Sequence, residues 1–159
     1  MSAVPNVRLV LAATLLGGWV GAALLAAAAV APAAFRVLPT RALAGALVGQ
    51  VLPAVFVSGI VVGVAAALLS WDGGPLARAR TALPLAVAVA CLVAQFVITP
   101  RIERVRATIG PDIEALAKTD PRRVEFGRLH GISVAWMGAG MLAAGAALVL
   151  SVLASRQRV

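Results

Sequence analysis

The stretch LAGALVGQVLPAVFVSGIVVGVAAALLS, residues 43–70, decides the fold. None of its residues is charged, and it is longer than the roughly 20 apolar residues that an α-helix needs to cross a bilayer. In the whole chain, 62% of the 159 residues are hydrophobic and only 13% are charged, whereas about a quarter of a soluble domain is charged. The chain cannot cover a water-facing surface, so we expect the lipid bilayer to be its surroundings and first partner.

Three further apolar runs complete the pattern and predict an all-α fold, a four-helix transmembrane bundle. The predicted spans cover residues 7–32, 43–70, 81–99 and 121–153. They form a single integral membrane domain over residues 1–159. Asp-Gly-Gly-Pro at residues 72–75 predicts a tight turn between spans two and three. The polar residues 100–120 predict a long interfacial loop between helices three and four.

Part of this loop has helical patterning. Ile102, Val105 and Ile109 fall on one face, which predicts a short interfacial helix or an extension of span three. The charged residues are assigned to the other faces: Arg101, Glu103, Arg104 and Arg106. Asp120 followed by Pro121 is typical of a helix N-cap with proline at the first helical position. Helix four is therefore predicted to begin outside the membrane.

Small residues recur at helical spacing on every span. Lipid is as apolar as leucine, so helices in a bilayer associate through close backbone approach, which small residues permit. This pattern predicts a tightly closed bundle and argues against a wide pore. The predicted helix-packing glycines are Gly17, Gly21, Gly45, Gly49, Gly59, Gly63, Gly131, Gly138 and Gly145.

Polar side chains gather at one end of the bundle, where spans one and three finish and spans two and four begin. We call this the loop end. The opposite halves of the spans are expected to be nearly devoid of polar side chains. Polar groups inside a membrane are costly and often functional, so a ligand pocket is one interpretation. The candidate ligand-binding residues are Arg36, Gln50, Gln95, Arg101, Arg128, His130 and Ser133.

A purely structural role for these residues is the other interpretation. Gln95 can hydrogen-bond between helices, and Arg36 and Arg128 can extend to lipid head groups. His130 can bond to a backbone carbonyl. The net charge of +8 suits anionic lipid head groups, and we expect no nucleic-acid partner because no such motif is present.

The sequence shows no catalytic set, no metal site and no cofactor motif, so a non-enzymatic role is favoured. Cys91 is the one cysteine and His130 the one histidine, which excludes an intrachain disulfide and a bis-histidine haem within one chain. Nine of the 14 Lys and Arg residues lie at the loop end. The positive-inside rule therefore predicts a cytoplasmic location for residues 100–128.

Three motifs carry a resemblance to a known family: Ala-Pro-Ala-Ala-Phe-Arg at residues 31–36, Thr-Pro-Arg-Ile-Glu at 99–103 and Phe-Gly-Arg-Leu-His-Gly-Ile-Ser at 126–133. Together they resemble the transmembrane-protein-205-like family, known in bacteria as domain-of-unknown-function family 4149. The resemblance covers nearly the whole chain. It implies a four-helix bundle in the bacterial plasma (inner) membrane without a settled activity. Polar positions carried over from the family are Arg36, Pro100, Arg101, Glu103, Arg128, His130 and Ser133.

Three functional hypotheses stay open. The first is small-solute or ion transport, or resistance, through a polar pocket at the loop end; a eukaryotic member's association with resistance to platinum drugs implies transport or trafficking. The second is a scaffold that binds other membrane proteins or a second copy of the chain. The third is a metal- or haem-binding protein, formed when oligomerisation brings together one His130 from each chain.

Overall fold

The protein is a bundle of four long helices. The computed structural model describes residues 6–71, 76–110 and 113–157. The helices are α1 (Val7–Val37), α2 (Arg41–Leu69), α3 (Ala77–Ile109) and α4 (Pro121–Gln157). A single 3₁₀ turn, Ile113–Ala115, lies between α3 and α4. Within these described ranges there is no β-strand, so the all-α prediction is confirmed.

Each helix packs against two neighbours, in the cyclic order α1–α2–α3–α4 and back to α1. Successive helices run in opposite directions, as short connections require. All four are long and apolar enough to cross a membrane. The chain is therefore a multi-pass membrane protein in contact with the lipid bilayer, as the composition predicted.

Three of the helices continue past the ends of their predicted spans, and one of these is α4, which exceeds its span by four residues at its end, Gln157. Helix α1 continues past Pro32 to Val37, and α3 begins at Ala77 and continues past Pro100 to Ile109. Of the two interpretations of residues 102–109, the extension of span three is therefore confirmed. The predicted turn at residues 72–75 lies outside the described residues.

A π-helical turn precedes Pro32 in α1 and Pro100 in α3, whereas Pro53 and Pro84 lie within α-helical segments. The two π turns are Ala26–Val30, which ends two residues before Pro32, and Ala94–Ile98, which ends two residues before Pro100. Proline has no N–H and its ring crowds the preceding turn, and widening the helix there relieves both problems. In the second π turn the Thr99 hydroxyl also donates to the Ala94 carbonyl oxygen, 2.9 Å away.

The two π turns reveal an internal repeat. Ala26 and Ala94 are 68 positions apart, and so are Pro32 and Pro100. The same shift relates the buried faces of α1 and α3. The matching buried pairs are Ala12 with Arg80, Leu16 with Pro84, Trp19 with Val87, Ala23 with Cys91 and Ala26 with Ala94. The bundle thus contains two similar helices at diagonal positions, each bulged at the same distance from the loop end.

The core is organised around the indole of Trp19. Its Nε1 donates a buried hydrogen bond of 2.9 Å to the carbonyl oxygen of Val55 in α2. A Cβ on Gly59 would lie 2.7 Å from that nitrogen and 2.5 Å from Cys91 Sγ. A Cβ on Gly140 of α4 would lie 3.5 Å from the far end of the indole ring. A side chain on Gly59 would therefore collide with the indole, whereas Gly140 lies at ordinary contact distance from its far end.

The predicted packing glycines divide into two groups. Gly59 and Gly63 lie in the seam between α2 and α3, and Gly17 faces Leu148 across the α1–α4 seam. By contrast, a Cβ added to any of four others meets no atom within 4 Å: Gly21, Gly131, Gly138 and Gly145. These four do not serve the packing within one chain that the pattern predicted.

Helix α4 instead turns Gly140, Ala144 and Ala147 towards the core. Gly138 and Gly140 are two residues apart, which is about 200° around a helix, so both cannot face inward. In the structure α4 turns Gly140 towards the Trp19 indole, whereas Gly138 has open space around it.

The α2–α3 seam can be tested with Gly63→Ala. The added methyl would lie 2.6 Å from the Pro84 carbonyl oxygen and 2.8 Å from the Ala88 nitrogen. Because both are backbone atoms, the two helices must separate, and we expect the free energy of unfolding in detergent to fall by about 1–3 kcal/mol. Gly145→Ala is the matched control: with open space around it, we expect no loss and a gain of up to about 1 kcal/mol from helix propensity. An equal loss in both variants would contradict the seam.

Candidate functional site

The extension of α3 brings an arginine onto the inward face of the bundle. Arg106 is half-buried, as are Ile102, Val105 and Ile109 on the same helix. The sequence analysis placed Arg106 on another face, and this was wrong. Arg106 follows Ile102 by four residues and precedes Ile109 by three, so a continuous helix puts all three on one side.

Backbone groups of α2 hold the guanidinium of Arg106. It donates to the carbonyl oxygens of Ala42 at 3.2 Å and Gly45 at 3.4 Å. A Cβ on Gly45 would lie 2.7 Å from a guanidinium nitrogen. Gly45, predicted to pack helices, therefore provides space for a charged side chain from α3.

The start of α4 is tied to the same region. Asp120 Oδ1 accepts a hydrogen bond from the Arg122 backbone N–H at 2.9 Å, which confirms the predicted N-cap. The Arg122 guanidinium also bonds to this carboxylate, and these bonds lower the pKa of Asp120 to about 2. Arg122 further donates to the Thr108 carbonyl oxygen in α3 at 3.2 Å, and Arg123 donates to the Leu116 carbonyl oxygen at 2.6 Å. These bonds fix the start of α4 beside the end of α3.

A cavity of about 290 Å³ lies at the loop end, with walls from all four helices and the α3–α4 connection. Three of its lining residues are arginines and two are phenylalanines. The lining residues are Phe35, Arg41, Ala42, Gly45, Arg106, Ile109, Gly110, Ile113, Arg123, Phe126 and Gly127. None of the lining residues that the structure describes is an Asp or a Glu.

The electrostatics of the cavity follow from how its arginines are held. The hydrogen bonds of Arg106 and Arg123 described above go to backbone carbonyl oxygens. A carbonyl carries no net charge, so it orients a guanidinium without cancelling its positive charge. Arg41 is the third arginine that lines the cavity, and it also interacts with another group of the chain. This arrangement is suited to binding an anion.

None of the seven predicted site residues lines this cavity. Arg36, Gln50 and Arg101 are exposed. Arg128 is exposed too and forms two 2.9 Å hydrogen bonds to the Glu125 carboxylate, on which Arg101 also acts electrostatically. Such solvent-accessible ion pairs contribute little to stability. These arginines line the loop end rather than a common pocket.

His130 does not line the cavity, but it contacts Phe126, which does. Its ring stacks parallel to that of Phe126, with the ring centroids 6.3 Å apart. Phe126 in turn lines the cavity wall, whereas His130 is exposed. The histidine can therefore affect the cavity through the position of Phe126 and does not itself point to a metal or haem site.

Gln95 and Ser133 come to the same depth in the bundle. A Cβ on Gly140 would lie 3.7 Å from the Ala90 Cβ, which sets the register of antiparallel α3 and α4. Ser133, seven residues before Gly140, is then level with Val97 and within about 3 Å of Gln95 along the axis. Ser133 is buried. The side-chain oxygen of Gln95 is also buried, and it accepts no hydrogen bond within the described part of the chain.

The end opposite to the loop end also holds buried polar side chains. Four of the buried polar residues lie there: Ser70, Arg80, Ser151 and Ser155. Arg80 and Ser155 lie just outside the predicted spans 81–99 and 121–153, and Ser70 and Ser151 lie at or near the ends of theirs. Arg80 is only 2% exposed. It precedes Pro84 by four residues, so extending the small-residue face of α3 by one turn would have found it.

The described residues contain no group of three or more His, Cys, Asp or Glu side chains that could hold a metal ion. Met137 and Met141, which share a face of α4, pack against the hydrophobic core.

The comparisons with known proteins identify a family. Residues 14–110 match the family described as a domain of unknown function (DUF4149). Because the match covers well over half of the chain, the protein belongs to this family, and the bacterial family expected from the motifs is confirmed. No curated protein and no solved structure matches the chain. The link to the transmembrane-protein-205-like proteins stays an expectation.

The unsatisfied oxygen of Gln95 can be tested with Gln95→Leu. A buried acceptor without a donor costs about 1–3 kcal/mol, so we expect the leucine variant to be more stable, with a higher midpoint of thermal unfolding in detergent. Gln50→Leu, at an exposed position on α2, is the control and should change the free energy of unfolding by less than about 0.5 kcal/mol. A loss of stability in Gln95→Leu would show that the amide has a partner which the substitution removes.

Proposed function

We propose that this DUF4149 member binds an anionic ligand in the cavity at the loop end of its bundle. The observation that carries the proposal is the pair Arg106 and Arg123, which line one cavity and are held there by neutral backbone carbonyls. A guanidinium fixed in this way keeps its charge and needs little reordering to bind an anion.

The exposed predicted residues fit this proposal as an approach surface. Arg36, Arg101 and Arg128 surround the loop end, where clustered cations raise the local concentration of anions. The proposal is a binding function, and it is compatible with the first step of transport or resistance. Buried Trp19 fills the centre of the bundle between the cavity and the opposite end, so passage of a solute would require the helices to move.

A scaffold is the second candidate function, and the outer face of α4 supports it. Gly131, Gly138 and Gly145 are spaced by seven residues and have open space around them. Such a strip permits close approach of another helix in a bilayer. The partner would be a second copy of the chain or another membrane protein. If a variant that no longer binds the anion still supports the protein's function in cells, this candidate is favoured.

We further propose that the protein lies in the bacterial inner membrane with the α3–α4 connection in the cytoplasm. The excess of Lys and Arg at the loop end supports this orientation. Alkaline phosphatase, which is active only in the periplasm, should be inactive when fused after residue 116 and active when fused at residue 74. The opposite pattern would reverse the orientation.

The anion-binding function is tested by thermal unfolding of the purified protein in a neutral detergent. The probes are inorganic phosphate, glycerol 3-phosphate and a short-chain phosphatidate, each compared with sodium chloride at equal ionic strength. We expect at least one probe to raise the unfolding midpoint of the wild type, because a ligand that binds only the folded state stabilises it. The effect should disappear in the double variant Arg106→Gln/Arg123→Gln. If no probe stabilises the wild type, the proposal fails.

A further inference from the structure

We infer that the anion bound in the cavity is the phosphate of a membrane lipid, whose head group enters from the bilayer while its acyl chains stay outside. This inference rests on the proposed anion-binding function and adds the class of ligand. Three observations support it: the apolar walls of the cavity, the exposed apolar surface beside the cavity, and the volume of the cavity.

The walls of the cavity are amphipathic. The guanidinium groups of Arg106 and Arg123 face the same space as the side chains of Phe35, Ile109 and Phe126. A small, fully hydrated anion would be bound by the arginines alone and would gain nothing from the aromatic wall. A lipid carries apolar carbon next to its phosphate, so it can use both surfaces.

The surroundings of the cavity favour entry from the bilayer. Phe35 is 50% exposed, Val37 near the end of α1 is 79% exposed, and Leu43 in the first turn of α2 is 51% exposed. These residues form an apolar surface at the end of α1 and the start of α2, both of which are membrane-spanning helices. A ligand that enters from the bilayer therefore meets an apolar edge of the cavity.

The size and the charge of the cavity select a head group. Its volume of about 290 Å³ is at the lower limit of small-molecule sites, roughly 300–1,000 Å³, which is enough for a phosphate and its glycerol carbon but not for a whole lipid. The three arginines come from three different helices: Arg41 from α2, Arg106 from α3 and Arg123 from α4. A tetrahedral phosphate can accept hydrogen bonds from several directions, whereas a carboxylate offers two oxygens in one plane.

The test compares the same phosphate in and out of a lipid. The full chain is reconstituted in phosphatidylcholine nanodiscs with or without phosphatidate, and bound lipid is counted by native mass spectrometry. Glycerol 3-phosphate in the aqueous buffer is the soluble counterpart. We expect phosphatidate to bind and glycerol 3-phosphate to bind at least tenfold more weakly. In Arg123→Gln the affinity for phosphatidate should fall roughly tenfold, as expected for loss of one charge-assisted hydrogen bond.

Arg78→Gln is the matched control, because Arg78 is an exposed arginine near the opposite end of α3 and its loss removes the same charge. It should leave phosphatidate binding unchanged. Arg123→Lys keeps the charge and loses the planar fork, so it should bind phosphatidate more tightly than Arg123→Gln does. Circular dichroism and gel filtration establish that each variant is folded.

The outcomes separate this inference from the proposed function. If glycerol 3-phosphate binds as tightly as phosphatidate, the lipid assignment is overturned and anion binding stands. If neither probe binds, both proposals fail. If phosphatidate binds equally to wild type, Arg123→Gln and Arg78→Gln, the lipid lies on the outer surface of the bundle, and the cavity is not its site.

Discussion

The hydrogen bond from Trp19 to the Val55 carbonyl is the contact on which the rest of the bundle depends. In the hydrocarbon core no water is available to an indole N–H, so this group must find its partner within the protein. The bond places the largest side chain of the core at the centre of four helices. Gly59 of α2 accommodates it, and Gly140 of α4 lies at ordinary contact distance from it. One side chain is thereby packed against both α2 and α4, while Gly131, Gly138 and Gly145 of α4 have open space around them.

The second constraint is the pair of prolines near the ends of α1 and α3. Each follows a π turn that accommodates the proline ring. Because α3 continues past Pro100, Arg106 reaches the inward face and bonds to α2. The same bulge in α1 carries Phe35 to the opposite wall of the cavity.

The arginines at the loop end are held by two kinds of acceptor. Arg106 and Arg123 donate to backbone carbonyls, which fix their direction and leave their charge available. Elsewhere at the loop end, Arg122 and Arg128 bond to the carboxylates of Asp120 and Glu125. Arg122 and Arg128 are thus paired with carboxylates, whereas the hydrogen bonds of Arg106 and Arg123 described above go to backbone carbonyls. It is the second pair to which the proposed function assigns the ligand.

The sequence by itself determined the class of the protein, the number of its helices and the N-cap at Asp120, because hydrophobicity, length and capping are local properties of the chain. It also identified Gly59 and Gly63 as packing residues, since a small-residue face must meet another helix if it turns inward. Which faces of α4 turn inward was decided only in three dimensions, where Gly140, Ala144 and Ala147 lie towards the core and Gly138 does not. The cavity was likewise not predictable, because its lining depends on α3 remaining helical through Pro100 and on arginines from three helices converging. The loop end was recognisable from its charge, but pairing with Glu125 and exposure to solvent separate Arg128 from the cavity, and those are properties of the tertiary structure.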